Sequence, residues 1–106
     1  MQIFNHQPII KTYGNGMQIT FPNKFTMLIK TGPGAACTQT KTASDATEWL
    51  MASRFGGNYG PDVEVEIYNA KNENITRKFA ASDEVVLGFV TPMQLVNLMY
   101  IVSSLK

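Results

Sequence analysis

The stretch Val85-Val86-Leu87-Gly88-Phe89-Val90-Thr91-Pro92-Met93-Gln94 decides how this chain folds. Val85 to Val90 is almost continuously apolar, which suits a strand in a central position. Thr91 then offers a hydroxyl to cap a helix. Pro92 fits the first helical position, and Gln94 stands where a capping box needs it. The spacing predicts a helix from Pro92 to about Ser104. Its apolar residues, Met93, Leu95, Val96, Leu98, Met99, Ile101, Val102 and Leu105, leave only a thin polar stripe of Gln94, Asn97 and Ser104. One sheet covers roughly a third to a half of a helix's circumference, so the rest of this surface wants a second cover. A partner subunit is the simple cover. Leu95, Leu98, Met99 and Val102 are therefore expected to serve a homo-oligomer, a dimer or a tetramer.

Working back from that stretch, Val63, Val65 and Ile67 alternate with Glu64, Glu66 and Tyr68, the pattern of a strand with one wet face. Asn69 to Asn74 reads as a hairpin loop. Ile75 to Phe79 reads as a short return strand, with Arg77 and Lys78 facing Glu64 or Glu66 across the ladder. Nearer the N-terminus, Met17 to Thr20 and Phe25 to Lys30 form a hairpin around the turn Phe21-Pro22-Asn23-Lys24. Tyr13-Gly14-Asn15-Gly16 is an earlier turn. Met1 to Lys11 carries a weak signal and is either an edge strand or an arm. The expected fold class is α+β: an antiparallel sheet of about five strands with a C-terminal helix packed on one face. The order of elements excludes the usual parallel nucleotide-binding fold.

The chain has 106 residues, enough for one domain spanning 1–106 with a modest core. Charged residues make up 16%, against roughly 25% in typical soluble domains, which points to a partly covered surface. A net charge of +1 argues against nonspecific DNA binding. One cysteine and one histidine are too few for a structural zinc site and allow no internal disulfide. The sequence shows neither a signal-peptide pattern nor an apolar run long enough for a membrane span, so a cytoplasmic protein is expected.

Thr31-Gly32-Pro33-Gly34-Ala35-Ala36-Cys37-Thr38 follows the second hairpin strand and contains almost nothing bulky. Gly32 and Gly34 permit unusual backbone angles, and Pro33 stiffens the turn. The stretch lacks the Lys-Ser/Thr ending of a phosphate-binding P-loop. It is either a tight turn leaving a strand or a backbone surface for a ligand or neighbouring subunit. Beyond it, Ser44 or Asp45 caps a short helix through about Arg54, or else Trp49 and Phe55 make a compact loop. Trp49, Phe55 and Tyr59 offer stacking faces, and Lys41 and Arg54 offer phosphate partners. The alternative role of Trp49 and Phe55 is to close the second face of the sheet. Cys37 has only His6 as an imidazole partner and reads as a packed small residue. Glu64 and Glu66 read as a solvated pair rather than an acid–base pair. No catalytic set emerges, so an enzyme is not expected, nor is a cofactor or metal.

Ile19-Thr20-Phe21-Pro22-Asn23, Gly32-Pro33-Gly34 with Cys37, and Val86-Leu87-Gly88-Phe89-Val90-Thr91-Pro92 together resemble a widespread family of small phage and prophage proteins. Its members read ITFPNG, GPGNYC and VLGYxTP. The likeness covers most of the chain except about Thr38 to Gly60. This sequence departs from the pattern at Lys24, where the family has Gly, and at Ala35-Ala36, where it has Asn-Tyr. The resemblance implies an immune-evasion sponge that sequesters cyclic nucleotide signals of bacterial antiphage defence (anti-CBASS) without cleaving them. A cyclic di- or trinucleotide is then the expected ligand. Thr31, Gly32, Pro33, Gly34 and Ala35 would give backbone approach, Trp49 and Tyr59 stacking, and Lys41 and Arg54 phosphate contacts. The rival expectation is a small inhibitor or accessory module that binds a host protein through its apolar helix.

Overall fold

Two turn signals build the first three strands. The structure is a computed structural model that describes residues 9–32, 34–38 and 60–106. Strand β1 (Ile9–Tyr13) turns through Gly14 and Asn15 into β2 (Gly16–Thr20), with Tyr13 opposite Gly16. Gly14 takes a positive φ of 32° in that turn. Gly16 answers a different demand: a Cβ there would stand 2.6 Å from the Ile29 carbonyl oxygen of the next strand. That strand, β3 (Thr26–Lys30), returns antiparallel to β2 after the Phe21–Phe25 turn. The turn is closed by Phe21 N–H to Phe25 O at 2.9 Å and Lys24 N–H to Phe21 O at 2.8 Å.

Strands β4 (Val63–Tyr68) and β5 (Leu87–Val90) complete a five-stranded antiparallel sheet in the order β1-β2-β3-β4-β5. Helix α1 (Pro92–Ser103) follows directly, capped as its sequence requires. Thr91 Oγ1 accepts from the Gln94 N–H at 3.4 Å, and Gln94 Oε1 accepts from the Thr91 N–H at 3.0 Å. The fold is α+β, with a sheet of five strands and one C-terminal helix among the described residues.

The register sorts side chains onto two faces. Ile19, Met27 and Ile67 lie side by side across β2, β3 and β4, and Ile29 lies beside Val65. These residues are buried and form the core with Val90 and Val102; Leu95, Leu98, Met99 and Leu105 of the helical segment pack against them. Burying each such side chain contributes about 2 kcal/mol. The opposite face carries Gln18, Thr20, Thr26, Leu28, Lys30, Glu64, Glu66 and Tyr68 by alternation.

Three sequence expectations are corrected. First, the apolar Val85–Val90 run contributes an edge strand rather than a central one, and Val85 is exposed outside it. Second, Ile75–Phe79 is not a strand. After a single bridge between Tyr68 and Asn74, Thr76–Phe79 winds into a 3-10 helix. The Thr76 hydroxyl accepts the Ile67 N–H at 2.8 Å, taking the place of a backbone partner, while Asn74 Oδ1 accepts the Thr76 N–H at 2.9 Å and turns the chain. The fifth strand is instead Ile9–Tyr13. Third, Arg77 and Lys78 therefore sit exposed in the 3-10 helix, not in a ladder opposite Glu64 and Glu66.

Candidate functional site

The chain leaves β3 through Thr31 and Gly32 and lays residues 34–38 against the end of the sheet. Gly32 and Gly34 have φ of 85° and 88°, left-handed values that glycine adopts without steric cost. Thr31 N–H donates to Asn15 O at 2.9 Å, so the β1–β2 turn and this loop are neighbours. Ala35 N–H donates to Gly32 O at 3.1 Å, and Cys37 N–H to Ala35 O at 3.0 Å. Two carboxylates hold the rest. Glu64 Oε1 accepts the Ala36 N–H at 3.0 Å. Asp62 accepts the Thr38 N–H and the Thr38 hydroxyl, each at 2.6 Å. Both acids are buried, and bonds of this charged type are worth about 1.5–3 kcal/mol each.

Glu64 and Cys37 thus have structural work. Glu64 is 8% exposed and is not part of a solvated pair; its neighbour on that face, Glu66, accepts from the Tyr68 hydroxyl at 2.9 Å. Burial, and then the bond to the Glu66 carboxylate and its charge, push the Tyr68 hydroxyl above its ordinary pKa. Cys37 is buried, with its Sγ 3.9 Å from Gly32 O.

The loop meets β5 at a bulge. Val63 pairs with Val90 and Val65 with Leu87, so Gly88 and Phe89 together oppose the single residue Glu64. Phe89 N–H donates to Ala36 O at 2.9 Å. A Cβ on Gly88 would lie 3.1 Å from the Ala36 Cβ and 3.2 Å from its carbonyl oxygen, so only glycine fits comfortably there. Phe89 itself takes φ 54° and is 60% exposed. A bulky side chain in that left-handed region costs about 1–3 kcal/mol. On the helix side, Gly88 joins Leu87, Val90, Leu98, Ile101 and Phe79 in lining a groove of 370 Å³, with Gln94 and Asn97 also in its wall.

Of the expected site residues, Thr31 is half-buried, Gly32 buried, Gly34 exposed and Ala35 half-buried, all in one loop. Pro33, Lys41, Trp49, Arg54 and Tyr59 lie outside the described residues, as does the short helix expected through about Arg54. The N–H groups of Ala35, Ala36, Cys37 and Thr38 all have acceptors within the chain, so they form no phosphate cradle. What residues 34–36 present is side-chain-poor backbone. Sequence reasoning missed Phe89 as part of this place. The signal was available in Gly88, since a lone glycine in an apolar strand marks a bulge or a close backbone approach.

The helix also differs from expectation in which residues face outward. Val102 is fully buried against the sheet, and Leu95, Leu98 and Met99 pack beside it, so these four serve the chain's own core. The outward face is Met93, Val96 and Tyr100, at 71%, 59% and 76% exposure, with Asn97 among them. No residue from Pro92 to Ser103 is charged. Among the described residues, no helix is long and apolar enough to cross a membrane.

Comparison of the chain with protein-family models, with curated proteins and with solved structures returns no match.

Proposed function

We propose that this protein is a sponge of the phage immune-evasion kind. It binds a cyclic di- or trinucleotide messenger of antiphage defence and holds it without cleavage. It works in the host cytoplasm as a homo-oligomer. The observation that carries this reading is the contact between Ala36 and Phe89. The two motifs that bear the resemblance, Gly32 to Cys37 and Val86 to Pro92, are 53 positions apart by the numbering of these two residues, yet they meet through the Phe89 N–H to Ala36 O bond of 2.9 Å. The meeting point is bare backbone beside an exposed ring, which suits recognition rather than proton transfer. Phosphate contacts fall to side chains such as Lys41 and Arg54. Thermal-shift measurements with cyclic di-AMP, cyclic di-GMP, cyclic GMP–AMP and cyclic tri-AMP test this reading. Stabilisation by one class, with intact ligand recovered after denaturation, supports it. Silence across the panel, or a cleaved ligand, ends it.

A second reading is favoured by the outward face of α1. Met93, Val96 and Tyr100 form an uncharged apolar stripe at helical spacing, the kind of surface that docks on a protein. Under the sponge reading that stripe joins copies of the chain; under the second it binds a host factor. Light scattering after size-exclusion chromatography separates them. Dimers or tetramers that dissociate on Val96→Glu support the first. A wild-type monomer that captures a host protein, and loses it on Val96→Glu, supports the second.

A further inference from the structure

Phe89 combines two unfavourable features that bring the folded chain little return. Its backbone is left-handed at φ 54°, at the second residue of the bulge, a conformation that glycine adopts without steric cost and a bulky side chain does not. The residue is 60% exposed, so much of its apolar surface gains nothing from the core. The neighbour Gly88 shows that the same short strand does place glycine where the backbone needs it. Strain kept at an exposed aromatic side chain is accounted for when that ring is used on something outside the chain. The surroundings narrow the choice. Residues 34–36 are Gly, Ala and Ala, with no side chain longer than a methyl, and a Cβ on Gly34 would meet nothing within 4 Å. The carboxylates beneath the loop are occupied by the Ala36 and Thr38 donors. The loop therefore carries only small side chains at 34–36, and its two carboxylate partners are engaged.

We propose that Phe89 is a stacking platform for a planar unsaturated ring of nucleobase type, and that the β5 bulge holds its ring out for that purpose. The inference rests on the ligand-binding reading above and names the stacking residue among the described part of the chain. The ring of the ligand lies on Phe89 beside the bare 34–36 backbone, and no bond is made or broken. Base–aromatic stacking on an alanine-type scale predicts a loss of roughly ten-fold or more in affinity when the ring is removed.

The test uses ethenoadenosine monophosphate as a fluorescent probe, titrated with the full chain, beside the melting temperature of each variant. Phe89→Leu keeps apolar bulk and backbone strain but lacks the ring. Phe89→Asn tolerates the left-handed backbone and removes both ring and strain. The expected result is binding by the wild type, roughly ten-fold or more weaker binding by both variants, and a melting temperature several degrees higher for Phe89→Asn. Equal binding by the wild type and Phe89→Leu overturns the inference while leaving the cyclic-nucleotide panel to judge the sponge. A lower melting temperature for Phe89→Asn also overturns it, because the ring then serves the fold. No probe binding by the wild type overturns it too, and silence in the panel as well removes both readings. Ring-dependent probe binding with a silent panel keeps Phe89 as a platform and removes the sponge.

Discussion

The side-chain amide of Asn23 donates to the carbonyl oxygen of Val102 at 2.8 Å, across 79 positions of sequence. The same Nδ2 reaches Leu105 O at 2.9 Å, and Asn23 Oδ1 accepts the Phe25 N–H at 3.0 Å. One turn residue thus fastens the β2–β3 hairpin to carbonyls at the end of α1, Val102 O accepting the Leu105 N–H at 3.2 Å as well. Asn23→Ala is expected to lower stability by about 2 kcal/mol in urea unfolding. Asn23→Asp should be no better, since it loses the donor and places a negative charge at the negative end of the helix dipole.

Lys24, next in the chain, has φ 70°. Left-handed backbone costs a residue with a Cβ about 1 kcal/mol relative to glycine. Glycine takes this backbone without steric cost. Lys24→Gly should raise the urea midpoint, because relief of strain outweighs the added freedom of the unfolded chain. An unchanged or lower midpoint would show that the turn already relaxes around lysine.

Thr76 is fully buried, and its hydroxyl bonds the Ile67 N–H. Thr76→Val keeps the shape but leaves that N–H without a partner, at a cost of about 1–3 kcal/mol. Thr76→Ser keeps the hydroxyl and should lose less. Hydrogen exchange at the Ile67 amide is the local readout: it should accelerate in the valine variant more than in the serine variant.

Alkaline pH should weaken the fold through Tyr68. Burial is the largest cause that raises its hydroxyl above the ordinary value of 10.0, followed by the Glu66 bond and charge. A raised folded pKa means that the neutral form is favoured in the native state. Its stabilising contribution is therefore whole below the ordinary tyrosine value and is lost as pH climbs through the folded one. A melting-temperature profile across the alkaline range should fall less steeply in Tyr68→Phe than in the wild type. Identical slopes would dismiss the tyrosine as the cause.

Local chemistry explains what was legible in the sequence. The Thr91-Pro92-x-Gln94 cap, the two turns around Gly14 and Pro22, and the alternation at Val63–Tyr68 each specify their element with neighbours in sequence, and each formed as expected. Ile75–Phe79 misled because a Thr76 hydroxyl, 9 positions away, replaced a strand partner. The helix faces misled because the apolar residues of α1 leave only a thin polar stripe, so its inward residues could be chosen only by the sheet beneath. For the site, the glycine loop was legible from composition. Its tie to Phe89 was not, because that tie is a backbone bond between distant residues.

The clasp between Thr38 and Asp62 has a consequence for the stretch between them. The two residues are 24 positions apart and joined through both a backbone and a side-chain donor. Whatever sequence runs between them leaves and returns at one fastened point on the rim of the sheet. The free energy of closing that excursion varies only slowly with its length, about 0.6 kcal/mol for each doubling. A change in the length of that stretch is therefore expected to cost little in closure entropy while Thr38 and Asp62 stay fastened.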